Sequence, residues 1–457
     1  MNQSIAPSPV SLIPSKSISS LSSVDYSLLT DLYQLTMTAC YVGESLDRAA
    51  ASFELFVRKL PKGFGYSIAM GLAQALEYLE QLQFSQTQIA ELQATGIFKN
   101  APERFWELLA TAKFTGDVWA VPEGTAIFAN EPILRIEAPL WQAQLVETYL
   151  LNTINYQTLV ATRAARLRDV AGADATLLEF GTRRAFSPQA AIWAARAAIA
   201  GGLDTTSNVL AALALGCQPS GTMAHSLVMA IGALEGSEQA AFRAFHRYFP
   251  GAPLLIDTYD PIVAATELAK QLAAGDIELS GIRLDSGDLV SLSKQISEIL
   301  PNIDIFASGD LDEWEIAKLR AANAPINGYG LGTKLVTGSP INGVYKLVEI
   351  DSIPTMKQSP GKMTYPGKKQ IFREITDGQF VGDTLGLATE GAGLLQLVMS
   401  KGDRVQPDDS LVTIRQRADA NVASLTADLR DINYDKLAPV NISPSLLELT
   451  QNLKEKA

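Results

Sequence analysis

The sequence predicts an α/β fold built around a parallel (β/α) barrel, and three observations carry that prediction. From about residue 145, short apolar or β-branched segments recur at spacings of about 20–30 residues, each ending in a polar, glycine-rich cluster. A helical stretch follows most of these clusters, which is the rhythm of repeated βα units. The chain has 457 residues, 47% hydrophobic and 19% charged, enough for a large core and more than one domain.

The first 24 residues hold nine serines, three prolines and one charged side chain, Lys16, and read as a flexible arm. Asp31 to Tyr41 follows as a helix, because Leu32, Leu35, Thr36 and Ala39 fall on one face. Ala50 to Val57 alternates like a strand, Gly63-Phe64-Gly65 turns, and Ile68 to Leu79 is helical. Trp119–Phe128 and Ile133–Ala138 read as strands joined through Ala129-Asn130-Glu131-Pro132.

The barrel strands are expected at Thr176–Phe180, Gly202–Ser207, Leu254–Asp257, Gly281–Leu284, Asp304–Ala307 and Tyr329–Leu331. A barrel is preferred to an open sheet because it brings all the clusters to one mouth, where chemistry resides. Strands then dominate at Val344–Ile350, Lys369–Glu374 and Leu394–Met399, with a charged break at Lys401–Asp409. A loop from Pro439 to Pro444 and a terminal helix complete the chain. The expected division is an arm at 1–24, part of an α/β domain at 25–144 and the barrel at 145–343. A strand-rich segment at 344–457 packs with the N-terminal region.

Composition narrows the function. A net charge of -12 argues against a nucleic-acid partner. Cys40 and Cys217 are too few for a disulfide framework and read as free, buried thiols in a reducing compartment. No stretch has membrane-span character, and the arm lacks the pattern of a secretion signal, so the cytoplasm is expected. The P-loop pattern GxxxxGK[ST] is absent.

The chemistry lies in the clusters after the strands. Arg183-Arg184 offers guanidiniums for a carboxylate or phosphate, Arg183 above all; the alternative is that one or both make interdomain ion pairs. In Asp285-Ser286-Gly287-Asp288, two carboxylates around a glycine turn suit Mg²⁺ held through water, ribose hydroxyls or a helix cap. Arg283 shares the face of Asp285, setting a cation beside an anion. Ser308-Gly309-Asp310 and Gly330-Leu331-Gly332-Thr333 are candidate phosphate cradles at helix starts. His225, one of two histidines, lies in Ser220-Gly221-Thr222-Met223-Ala224-His225-Ser226. It has no histidine partner nearby, so metal ligation is disfavoured against acid–base or phosphoryl-accepting chemistry.

Assembled in order, these motifs resemble those of nicotinate phosphoribosyltransferases over nearly everything after residue 25. The matching segments include Leu29-Thr30-Asp31-Leu32-Tyr33-Gln34-Leu35-Thr36-Met37, Glu179-Phe180-Gly181-Thr182-Arg183-Arg184 and Gly221-Thr222-Met223-Ala224-His225-Ser226. Arg283-Leu284-Asp285-Ser286-Gly287-Asp288 and the two glycine loops match as well, and the C-terminal basic pattern is represented by Lys357, Lys368, Lys369 and Arg373.

The resemblance implies an irregular barrel of the type II phosphoribosyltransferase kind, with a second domain built from both termini. It implies transfer from phosphoribosyl pyrophosphate to nicotinate, ligase-type coupling to ATP, and a transient phosphohistidine at His225. Tyr33 would stack on the pyridine ring, Arg183 and Thr222 would lie near nicotinate, and Arg283 would take an anionic group. Asp285 and Asp288 would hold Mg²⁺ or ribose, while Ser308, Gly309, Gly332 and Thr333 would hold phosphate. Homodimers with sites near the subunit boundary are implied too. Leu227 departs from the family, which often carries an aromatic residue there. Competing readings are a nicotinamide or quinolinate phosphoribosyltransferase, or a metabolite sensor without catalysis.

Overall fold

The computed structural model describes residues 25–359, 361–436 and 440–456, so the expected arm and Pro439 lie outside the described residues. The chain divides into two compact units. One spans Arg163–Gly338; the other joins the residues up to Thr162 with those from Ser339 onward. The boundary falls within the helix Glu147–Ala171.

The first unit is a parallel sheet with strands in the spatial order Thr205–Thr206, Thr176–Glu179, Gly328–Leu331, Asp304–Ala307, Gly281–Leu284 and Leu254–Leu255. Every neighbouring pair is parallel, and helices connect successive strands, as parallel pairing requires. The barrel is irregular because both outer strands of this order have only two residues. The expected strands at 202–207 and 254–257 are trimmed accordingly. Their flanks keep single bonds to the ladder instead: Ser207 N donates to Glu179 O and Ile256 N to Arg283 O.

Alternation along Gly281–Leu284 divides its side chains between two faces. Ile282 and Leu284 are fully buried in a core with Phe242, Leu268, Ile296 and Ile305, from the surrounding helices and the next strand. Each such aliphatic side chain contributes roughly 1.5–3 kcal/mol on burial. Arg283 therefore faces the other way.

The second unit contains a seven-stranded antiparallel sheet. At its centre Ala50–Val57 pairs with Pro132–Pro139 on one side and Gly343–Ile350 on the other, so chain segments distant in sequence are direct neighbours. The expected strand 119–128 is broken: Asp117–Ala120 and Ala126–Ile127 flank a turn containing Pro122 and Gly124. Proline cannot donate to a ladder, which accounts for the break. The expected helix 68–79 starts later, at Leu72, after Gly71 at φ 103°. Cys40 is exposed and Cys217 half-buried, which corrects the expectation of two buried thiols. Among the described residues no helix is long and apolar enough to cross a membrane.

Buried ion pairs tie the C-terminal strands into this unit. Lys369 Nζ lies 2.8 Å from Glu54 Oε2, with both residues at most 2% exposed. Arg373 grips Asp383 through Nε at 3.0 Å and Nη2 at 2.6 Å. Glu131, fully buried, accepts from Phe128 N and faces Asp383 with an oxygen that has no donor. Burial first, and then Asp383, hold the Glu131 carboxyl well above the ordinary carboxylate range.

A raised folded value means that the stability due to neutral Glu131 is complete below the ordinary carboxylate pKa and is lost as pH climbs through the folded value. Glu131→Gln keeps an acceptor for Phe128 and supplies an amide donor for Asp383. We predict that the variant gains on the wild type by up to about 1.4 kcal/mol per pH unit as pH rises through this window. Thermal unfolding followed upward in pH from the ordinary carboxylate range reads the difference; parallel pH profiles would reject the buried proton.

Candidate active site

The carboxyl ends of the central strands are in register, with Ala307 opposite both Leu284 and Tyr329, so the clusters that follow them gather at one end of the barrel. Glu179, buried and last in its strand, shapes the first cluster. Its carboxylate accepts from Gly181 N and from Thr206 Oγ1 on the adjacent strand, and burial pushes it up. This anchor lets Thr182, Arg183 and Arg184 project as exposed side chains. Among the described residues of this unit no carboxylate forms an ion pair with either arginine.

Arg283 lies where its strand alternation predicts. Its Nη1 donates to Thr222 Oγ1 at 3.2 Å and its Nη2 to Met223 O at 2.8 Å, while the guanidinium carbon sits 5.9 Å from the Phe180 ring centroid. Nε is buried without a partner among the described residues. Burial lowers the Arg283 pKa; Asp285 and Asp257 oppose the shift, and the charge of Arg183 adds to it. The structure thus brings Arg183, Thr222, Arg283 and Asp285 into one electrostatic neighbourhood.

His225 is the first residue of the helix His225–Glu235, whose N-cap, Ala224, makes no side-chain cap. Nδ1 lies 3.1 Å from Thr258 Oγ1, and Nε2 has no partner among the described residues. With Nδ1 protonated and donating to the hydroxyl, Nε2 presents its lone pair outward.

Asp285 Oδ1 accepts from Ser308 Oγ at 2.5 Å. Asp288 serves as the helix cap, accepting from Val290 N and Ser291 N at 3.1 and 3.2 Å. Both aspartates are exposed and each keeps a second oxygen outside these bonds. Among the described residues no group of three or more ligating side chains could hold a metal ion. Any cation here would therefore depend on one or two carboxylates, water and substrate oxygens.

The two expected cradles differ from helix starts of ordinary length. Gly309 (φ 95°) and Asp310 (φ 49°) form a left-handed turn that ends before the helix Glu313–Ala321, which Asp312 caps. A Cβ on Gly309 would lie 2.2 Å from Asp285 O, so the turn presses directly on the aspartate loop. Gly332 and Thr333 open a helix of only four residues. Lys334 pairs with Asp312 at 2.8 Å and is structural.

Asp257, Thr258 and Phe180 were not among the residues singled out from sequence. Asp257 is 9% exposed, and its Oδ2 accepts from both Asp285 N and Ser286 Oγ at 2.7 Å, organising the whole aspartate loop. Its place as the last residue of an expected strand, Leu254–Asp257, was the available signal. Tyr33 belongs to the other unit and is half-exposed on the helix Leu32–Gly43. In that unit Arg58, Lys346 and Lys357 also gather without a carboxylate in ion-pair contact among the described residues. Burial lowers the Lys346 pKa, Glu147 opposes this, and Arg58 and Lys357 lower it further. Lys368, Lys369 and Arg373, by contrast, are committed to Glu137 and Glu349, to Glu54 and to Asp383.

Comparison with known proteins agrees along the chain. The nicotinate phosphoribosyltransferase N-terminal domain matches residues 28–155, and the nicotinate phosphoribosyltransferase family matches residues 175–308. A nicotinate phosphoribosyltransferase of Mycobacterium tuberculosis is 42% identical over 439 residues, spanning 92% of each chain. The one from Bacillus subtilis is 38% identical over 462 residues, spanning 91% of this chain and 93% of its own. The crystal structure of human nicotinic acid phosphoribosyltransferase superposes with a TM-score of 0.81 at 29% identity, covering 93% of this chain and 99% of that one. Matched by the family models over residues 28–155 and 175–308 and by a relative 42% identical over 92% of its length, this chain belongs to the nicotinate phosphoribosyltransferase family.

Proposed function

We propose that this enzyme transfers the 5-phosphoribosyl group of phosphoribosyl pyrophosphate to the ring nitrogen of nicotinate, releasing nicotinate mononucleotide and pyrophosphate in NAD biosynthesis and salvage. The observation that carries the reading is the partly buried Arg283 guanidinium, whose buried Nε has no partner among the described residues, set beside Thr222 and an exposed Arg183 at the barrel mouth. A substrate carboxylate entering this neighbourhood is desolvated, and charge-assisted hydrogen bonds compensate it. Nicotinate brings one such group. Neutral nicotinamide would leave the cations short of an anion, and quinolinate would bring a second carboxylate.

The sugar carbon becomes electrophilic as pyrophosphate departs with growing negative charge, so the chain must present cations and N–H donors to phosphate oxygens. Arg183, the Ser308–Gly309 turn and the Gly332–Thr333 turn are suited to that task. Asp285 and Asp288, each exposed with an uncommitted oxygen, would hold Mg²⁺, which neutralises phosphate charge when bound. Ser308 Oγ keeps the Asp285 carboxylate oriented.

We further propose coupling to ATP through His225. The Nε2 lone pair attacks the γ-phosphorus, the bond to the bridging oxygen breaks, and ADP leaves as the N–P bond forms. With the Thr258 hydroxyl accepting from Nδ1–H, Nε2 would be left unprotonated for this attack. Water later cleaves the N–P bond, releasing inorganic phosphate and restoring the imidazole. The same reading makes the enzyme a cytoplasmic homodimer.

Turnover of nicotinate, nicotinamide and quinolinate with and without ATP tests the reaction: nicotinate should be preferred and stimulated by ATP. Turnover of either other base with none of nicotinate would overturn the assignment. Protein labelling from γ-labelled ATP should vanish in His225→Ala while circular dichroism stays that of the wild type; undiminished labelling would remove His225 as acceptor. Gly309→Ala places a side chain at φ 95° against Asp285 O and should lower kcat/KM for phosphoribosyl pyrophosphate roughly a hundredfold. A wild-type value would show that this turn does not shape the site.

A further inference from the structure

One edge of the parallel sheet is the two-residue strand Thr205–Thr206, whose register with Thr176–Glu179 sets Thr206 opposite Glu179. So short a ladder supplies little backbone pairing, and side chains supplement it. Thr206 Oγ1 donates to Glu179 Oε2 and accepts from Asn208 N at 2.9 Å, while Thr205 Oγ1 donates to Gln218 O at 2.6 Å. Glu179 and Thr206 are both fully buried.

The direction of each proton in this cluster is fixed. The backbone N–H of Asn208 can only donate, so the Thr206 hydroxyl gives its one proton to Oε2, and the Gly181 N–H goes to Oε1. A buried carboxylate is costly unless its oxygens meet donors, and here each oxygen meets one. Glu179 therefore joins the turn after its own strand to the adjacent strand.

Both sides of the base site hang on this pair. On one side, Gly181 O accepts from Arg184 N at 2.8 Å and Ala185 N at 3.0 Å, so Arg183 lies inside a turn wound on the residue that Glu179 holds. A Cβ on Gly181 would come within 2.4 Å of Val336 Cγ1 and 2.9 Å of Glu179 Oε1, which presses this turn directly on the carboxylate. On the other side, Thr206 O accepts from Ser220 N at 2.9 Å, where the segment running through Thr222 to His225 begins. Arg283 then binds that segment at Thr222 Oγ1 and Met223 O.

We propose that Glu179 and Thr206 are positioning residues for base recognition: their hydrogen bond fixes the Arg183 turn relative to the Thr222 segment, so that both reach one carboxylate of the base. This rests on the reading that Arg183 and Thr222 receive nicotinate, and it adds the buried pair that sets their spacing before binding. Groups ordered in advance lower the cost of association. Because both residues are buried, loss of their bond acts on base affinity more than on the chemical step.

The test measures kcat and the KM values for nicotinate and phosphoribosyl pyrophosphate in the full-length enzyme, with circular dichroism as the check on folding. Thr206→Val deletes the hydroxyl at nearly constant volume and should raise the nicotinate KM about three- to tenfold, with smaller changes in kcat and in the phosphoribosyl pyrophosphate KM. Thr206→Ser keeps the hydroxyl and should stay within about twofold of the wild type. Glu179→Gln offers one oxygen to two donors, so it should match or exceed Thr206→Val, and the two changes together should go no further than Glu179→Gln alone. If Arg183→Ala raises the nicotinate KM while Thr206→Val and Glu179→Gln leave it unchanged, the positioning role fails and the base reading survives. An unchanged nicotinate KM in Arg183→Ala sinks both. Equal rises in the two KM values, multiplying effects in the double variant, or Thr206→Ser behaving like Thr206→Val would each overturn the proposal. Should Glu179→Gln fail to fold, Thr206→Val against Thr206→Ser decides alone.

Discussion

Parallel, in-register pairing of Gly281–Leu284 with Asp304–Ala307 and Leu254–Leu255 is the constraint on which the site depends. It makes neighbouring strands end at one level, so that Asp257, Asp285 and Ser308 meet although each comes from a different βα unit. Asp257 accepts from the Asp285 backbone and from Ser286; Ser308 then bonds the Asp285 side chain. One chain of hydrogen bonds thus crosses three loops. A slip of register by one residue would reverse the faces of the central strand, burying Arg283 among aliphatic side chains and turning Ile282 toward the mouth.

Electrostatics divides the labour among the basic residues. Those matched by nearby carboxylates hold the fold: Lys369 on Glu54, Arg373 on Asp383 and Arg166 on Glu313 are buried pairs. Removing one member of such a pair strands a charge in a low-dielectric interior, which makes these positions structurally demanding. Among the described residues Arg183 and Arg184 are exposed without a carboxylate partner in their own unit, and Arg283 is partly buried with Nε unpartnered. Unmatched cations in an acidic molecule concentrate positive potential where an anionic substrate can use it.

Much of the barrel was legible in the sequence because a short apolar segment, a glycine-rich break and a helical stretch repeat with little variation. Gly281–Leu284 and Asp304–Ala307 appear with the expected limits. The second unit was less legible. The strand Gln379–Leu387 and the helix Leu411–Ser424 carry mixed patterns, and their identity depends on partners distant in sequence. Pro122 and Gly71 show the local limit: a strand and a helix that look continuous in hydropathy are interrupted where the backbone lacks a donor or takes a positive φ.

The site divides in the same way. Residue type and order by themselves offered the candidate groups His225, Arg183, Arg283 and Asp285, and Tyr33 through the family resemblance, since imidazole, guanidinium, carboxylate and aromatic ring cannot be exchanged for one another. Tertiary structure alone decided what each group is free to do. It committed one Asp288 oxygen to a helix cap, made Thr258 the partner of His225, and put Asp257 behind the aspartate loop. It also locked Gln34, the neighbour of Tyr33 in sequence, into one network with Gln144 and Glu147. The physical reason is that a hydrogen bond depends on distance and angle across the fold, and linear spacing encodes neither once the partners lie in different elements.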